Sequence, residues 1–294
     1  MGKKLLGATI ICILLAQQNC AQFSDLAAIN FTGLPQGNSE VGYTRLRGLF
    51  NYPIRLSKGK YLFVGLDYSK IELSFNENIT TFDIDVLEDF QLLDLSIGYS
   101  FKLNEDWRFA ARFSPGVSSN LVKQLNLEDV VFSGDVVFIN DKRNDNTIAR
   151  PFRLILGASY SGNRGFPFPL PFISYYRKFR PDWSFNLGVP KANLQYHFSK
   201  KNRLKWVAEL DGFTSNIQDN IQISDGRTAD KINMAVLISG LQYEYHYNQH
   251  LEFFMNTSFI LSSNASLRNN RNRTVASLSD SNSAYFRTGV RFKL

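Results

Sequence analysis

Residues able to do covalent chemistry are sparse in this chain. Its 294 residues hold three histidines, His197, His246 and His250, and two cysteines, Cys12 and Cys20. His197-Phe198-Ser199 places a base two residues from a hydroxyl, the minimum for an activated nucleophile. Lys200 and Lys201 follow at once, so the triplet reads as a turn rather than as a catalytic pair. His246 and His250 lack the further ligands a metal site needs. No phosphate loop, dinucleotide fingerprint or helical zinc motif occurs. Catalysis, cofactor binding and metal binding are therefore assigned to no residue.

Charge at alternate positions is the richer signal. Arg108 and Arg112 share one face of the run 106–117, and Arg153 faces the same way on 150–161. Glu209 and Asp211 fall on one face of 203–213, Glu244 on 231–247 and Glu252 on 250–262. If these runs line a closed barrel, the basic and acidic groups lie on roughly opposite walls. Opposed walls around water would set a transverse field suited to passing polar solutes. Charges paired with their neighbours would instead fill the lumen. Arg287 and Arg291 blur the segregation.

Strands carry these groups. Leu93, Leu95, Ile97, Tyr99 and Phe101 alternate with Asp94, Ser96, Gly98, Ser100 and Lys102, a period of two. Similar alternation recurs after Trp107, Phe152, Leu204 and Leu241. Many runs reach about 9–11 residues, the length that spans a membrane as a tilted strand. Short connections at Lys58-Gly59, Asn104-Glu105, Pro181-Asp182, residues 200–202 and Asn248-Gln249 alternate with long ones at 74–88, 213–230 and 262–282. Outer-membrane barrels pair short periplasmic turns with longer external loops. Stepping back from the last strand, 283–294, puts every one of these short turns at one end. That parity requires a further strand near Asp25 to Thr32. The count that closes is 14; omitting the short pair 183–189 and 193–199 gives 12. Trp107, Trp183 and Trp206 all fall toward the short-turn end, as an interfacial aromatic girdle would.

Pro167, Pro169 and Pro171 alternate with Phe168, Leu170 and Phe172. None of the three donates an N–H, so their shared edge cannot extend a ladder. They belong to a rim, a loop or the barrel mouth, either as a constriction or as a stiff loop that blocks pairing. The basic residues Arg268, Arg271 and Arg273, set among asparagines, form a solvated external loop within reach of lipopolysaccharide phosphates.

Lys3 and Lys4 precede the apolar run from Leu5 to Ala16, a signal peptide in form. Cleavage after Ala21 leaves 22–294 as the barrel, and cleavage after Ala16 stays open. Both cysteines lie in or beside this leader, so no internal disulfide is expected. Phe at 25 and Tyr at 13 residues suit a β protein. The net charge of +7 falls to about +5 without Lys3 and Lys4. That excess is spread along the chain, without the clustered patch that nucleic acid requires.

The terminal pattern Arg287, Gly289, Phe292, Leu294 resembles the C-terminal assembly signal of outer-membrane barrels, with Leu in place of the usual Phe. Ser161-Gly162-Asn163-Arg164-Gly165-Phe166-Pro167-Phe168-Pro169-Leu170-Pro171-Phe172 and Asn186-Leu187-Gly188-Val189-Pro190 resemble blocks of an uncharacterised Gram-negative outer-membrane barrel family. So do Asp129-Val130-Val131-Phe132-Ser133-Gly134-Asp135 and Leu210-Asp211-Gly212-Phe213-Thr214-Ser215-Asn216. The resemblance implies a membrane barrel of unknown function and carries over no site residues. His197-Phe198-Ser199 is similar to the His-x-Ser of barrel lipid deacylases, but its surroundings do not match that family. The expectation is an all-β, single antiparallel transmembrane barrel in the bacterial outer membrane, the periplasm being the alternative. Its expected role is passive passage of small polar solutes. The rival roles are structural or adhesive work through external loops, and lipid hydrolysis. Implied partners are outer-membrane lipid, lipopolysaccharide and the barrel-assembly machinery.

Overall fold

A computed structural model describes residues 25–37, 39–75, 84–145, 148–166, 168–223, 226–278 and 284–293. The leader with its cysteines, Pro167 and Leu294 lie outside the described residues. Fifteen strands are present among those described. They are β1 (Ala27–Leu34), β2 (Val41–Ser57), β3 (Lys60–Phe75), β4 (Asp89–Lys102), β5 (Trp107–Ser119), β6 (Val130–Asp141), β7 (Phe152–Ser161) and β8 (Leu170–Lys178). Then come β9 (Trp183–Val189), β10 (Lys191–His197), β11 (Asn202–Gln222), β12 (Thr228–His246), β13 (Leu251–Arg268), β14 (Thr274–Leu278) and β15 (Ala284–Phe292). No described helix is long and apolar enough to cross a membrane.

Fourteen strands close a barrel. Consecutive neighbours pair antiparallel from β1 to β13, β13 pairs β15, and β15 returns to β1 with Ala27 opposite Phe292. The strand that parity required near residue 25 is β1. β9 and β10, only seven residues each, are full members of the wall, so the count is 14 and not 12. The remaining strand, β14, folds back onto β13 above the rim.

Side-chain acceptors tie the tight turns. Asn104 Oδ1 accepts from the backbone N–H of Asp106 and Trp107 at 3.0 and 2.8 Å. Asn248 Oδ1 does the same for His250 and Leu251. Both close the chain on itself as Asx turns do. The connection from Lys142 to Pro151 lies at this same end and is longer than its neighbours.

Alternation divides each strand between two environments. Outward positions carry exposed apolar side chains on all 14 wall strands, among them Ile29, Phe50, Leu66, Leu95, Phe113, Val136 and Leu156. Ile173, Leu187, Leu194, Trp206, Leu241, Met255 and Phe286 complete the belt. Inward positions are mostly polar in the lower barrel.

The long-loop end departs from expectation. Residues 213–230 and 262–282 were expected to be loops; most of them are strand. At Gly212, with φ +144°, β11 leaves the wall and bends inward. A Cβ there would meet the Met234 carbonyl oxygen at 2.1 Å, so only glycine allows the approach. The upper half of β11 then crosses to β5, where Asn216 pairs with Ser119 in parallel. This closes a second, narrower ring of nine strands, β1–β5, β11–β13 and β15. Strands β6–β10 stop below it. The ring encloses a buried apolar core that includes Tyr43, Ile71, Phe90, Phe213, Ile217, Ile232 and Leu267. We call this part the crown. Its strands read as loops because Thr214, Ser215, Asn216 and Gln218 are polar. All four are buried, and the groups that bond Ser215, Asn216 and Gln218 come from distant parts of the chain.

Candidate functional site

Beneath the crown lies one large cavity of about 2410 Å³. It opens at the short-turn end, between the turns at Asn104, Lys142, Pro181, Lys200 and Asn248. It rises to Asp67, Asp94 and Arg164 under the crown. Along the axis the crown's apolar core stands above it.

A polar layer spans the lumen at the base of that core. Asp211 on β11 accepts two hydrogen bonds from Arg45 on β2, at 2.9 and 2.7 Å. It also accepts from the Tyr285 hydroxyl at 2.6 Å and from Arg287 on β15 at 2.5 Å. Arg287 reaches Glu209 at 3.0 Å, and Glu209 pairs with Lys191 at 2.6 Å. Arg45 and Asp211 are bonded across the barrel rather than between adjacent strands. Arg45 gives one nitrogen, Nη2, to both Asp211 oxygens, and Arg287 bridges Asp211 and Glu209 with its two Nη atoms, so charge-assisted bonds tie the layer together.

A second polar knot fixes the crown to β5. Asn126 caps the short 3-10 turn Leu127–Asp129 in a capping box. Asp129 accepts from Asn216 at 2.8 Å and from Gln218 at 2.6 Å. Burial raises the Asp129 carboxyl, and hydrogen bonds from Ser119, Asn126, Asn216 and Gln218 outweigh it, leaving its pKa below the ordinary value. Where β6–β10 stop, the loop 162–166 covers the shoulder. Asn163 donates to Asp94 at 2.9 Å, and Asn233 donates to the Gly165 carbonyl at 2.8 Å.

Arg108, Arg112 and Arg153 line the cavity. Arg108 donates to the Gly59 carbonyl at 3.0 Å and lies over the Tyr61 ring. Arg112 pairs with Asp135 at 2.8 Å. The four carboxylates of the opposite wall are paired with cations. Glu244 pairs with Lys205 at 2.6 Å, and Glu252 with Arg291 at 3.0 Å and Lys293 at 2.6 Å. With Glu209 and Asp211 held as above, no bare acidic wall faces the water. Pro169 is exposed in the loop and Pro171 is the second residue of β8, opposite Ala158 on β7. Arg287, Gly289 and Phe292 lie on β15, with Arg287 inside and Phe292 outside.

His197 and Ser199 do not act on each other. His197 Nε2 is 3.0 Å from the Ser184 hydroxyl, while Ser199 Oγ accepts from the backbone N–H of Lys201 and Asn202. Glu244, His246 and Glu252 bring ligand atoms within 4.8 Å of one another. Lys205, Arg291 and Lys293 already neutralise the two carboxylates, so a divalent cation would enter against positive charge.

The excess charge, expected to be spread out, is gathered by the fold. Seventeen Lys and Arg line the cavity against eight Asp and Glu. The stretch 146–208, which builds β7–β10 and the start of β11, holds eleven Lys and Arg and a single acid, Asp182. A count along the sequence would have found it; a search for unbroken basic runs does not.

The family model described as "Domain of unknown function (DUF6268)" matches residues 57–293. The chain belongs to this family. The family blocks quoted from 129–135, 161–172, 186–190 and 210–216 all fall inside the match. No curated protein matches the chain. Among solved structures, the fold is similar to the COG4313 outer membrane channel from Pseudomonas putida F1, at 11% identity and TM-score 0.43, covering 95% of this chain and 98% of that one. It is also similar to the KdgM porin, at 10% identity and TM-score 0.36, covering 91% and 99%. The Pseudomonas putida toluene transporter TodX matches at 9% identity and TM-score 0.37, covering 93% and 90%.

Proposed function

We infer that this DUF6268 barrel sits in the bacterial outer membrane and passes small polar solutes through its lumen. The carrying observation is a wide, charged cavity enclosed by a wall whose outer face is apolar on every strand. An exposed apolar surface of that extent has no place in water and suits lipid. With the short turns in the periplasm, the cavity is a vestibule open to that compartment. The crown projects outward, and its packed axis turns any passage toward the shoulder under loop 162–166. Recordings on the refolded chain in planar bilayers test this. Discrete conductance steps support the reading, and their complete absence at all voltages overturns it. A second reading, a structural or adhesive barrel, is favoured by the rigid crown. Membrane insertion without conductance is the outcome it expects.

A further inference from the structure

Six cations line one side of the vestibule, and the carboxylate opposite Arg153 in register, Asp141, is held by Arg143. Arg153 stands on β7, Lys178 and Arg180 at the foot of β8, Lys200 and Lys201 in the turn before β11, and Arg203 on β11. None of the six forms an ion pair among the described residues. The Nε atoms of Arg153 and Arg203 are buried with no hydrogen-bond partner at all. Cations gathered on one wall without ion pairs repel one another, so a solute carrying negative charge gains by entering among them. From β7 to β11 the wall is four strand spacings wide, roughly 19 Å. The barrel's apolar exterior keeps the dielectric low behind these groups, which strengthens their field in the cavity.

We propose that the β7–β11 wall of the vestibule is a binding site for a soluble oligoanion, one bearing two or more carboxylate or phosphate groups. The inference rests on the transport reading for its purpose but not for its geometry. A single small anion meets one or two cations; a solute with several charges meets more of them at once. Guanidinium groups bind both carboxylate and phosphate in bidentate fashion. A membrane lipid is a poor occupant. The cations point into the lumen, while the lipid-compatible side chains of the same strands, such as Ile173, Leu187 and Leu194, point out.

Titration calorimetry on the full chain, refolded in zwitterionic detergent, tests the site with citrate and with tripolyphosphate. Saturable binding is expected, weakening as salt rises. The double variant Arg153→Ala/Arg203→Ala should weaken it by about tenfold or more. Arg153→Lys/Arg203→Lys, which keeps both charges but not the guanidinium forks, should weaken binding less than the alanine pair does, and Arg273→Ala in the crown should leave it unchanged. Absence of saturable heat with both probes, or binding indifferent to the double alanine variant, overturns the proposal. Bilayer recordings separate it from the transport reading. Conductance without oligoanion binding removes the site and keeps the channel; binding without conductance keeps the site and removes the channel.

Discussion

At the scale of single residues, the barrel is held by charges that have almost no freedom. Asp211 serves Arg45, Arg287 and Tyr285 together, so its loss strands two guanidinium groups. Asp211→Asn should lower stability by about 3–5 kcal/mol, the usual cost of breaking a buried pair from one side. The guanidinium unfolding midpoint of the refolded barrel reads this out, and an unchanged midpoint would contradict a cross-lumen tie. Asp129 makes a different, pH-dependent prediction. Its pKa is depressed in the fold, so its contribution is fully present above the carboxyl's ordinary 3.8. It is lost as pH falls through the lower folded value. Asp129→Ala should cost about 1.5–3 kcal/mol near neutrality, as hydrogen bonds to a charged group do. The gap in Tm between the two proteins should hold from pH 7 to about 4 and shrink only below that. A gap that shrinks between pH 7 and 5 would mean that another group controls the knot.

At the scale of elements, one bend converts a wall strand into a closure. Gly212 carries φ +144°, and its neighbour across the kink is the Met234 carbonyl. Gly212→Val should cost at least about 1–3 kcal/mol from the backbone conformation alone. Limited proteolysis should then cut within 213–223 while the lower barrel still resists. Resistance equal to the parent would show that the crown does not depend on the kink. The lower strands were legible because period two holds along their whole length, as in 93–103. The crown was not. Its upper β11 buries Phe213, Ile217 and Ile221, spaced by four, with buried Thr, Ser, Asn and Gln between them. Those polar groups look solvated in sequence; Ser118, Asn120, Gln124 and Asp129, far away in the chain, bond Ser215, Asn216 and Gln218. The site was legible in part for a related reason. Arg108, Arg112 and Arg153 sit on regular strands, so alternation finds them. Arg203 shares the face of Glu209 and Asp211 and was readable too, whereas Arg180, Lys200 and Lys201 lie in turns, where facing cannot be read from a period.

At the scale of the whole molecule, two surfaces oppose each other across a wall one strand thick. The outer face is apolar around the full ring, and the inner face is lined by seventeen Lys and Arg against eight Asp and Glu. A lipid surround makes both faces favourable at once, since burial of apolar surface is the dominant gain in folding. Leu95 decides the matter, because it lies midway along β4, outward-facing and 56% exposed. In lipid, Leu95→Arg places a charge in hydrocarbon and should cost about 2–4 kcal/mol at the midplane, less toward either interface. In water the same change would alter stability by no more than about 0.5 kcal/mol and would improve solubility. Unfolding titrations in phospholipid vesicles give the difference directly. A loss of the expected size places the belt in the membrane. A neutral result would make the belt a surface covered by protein rather than lipid, and would take the channel reading with it.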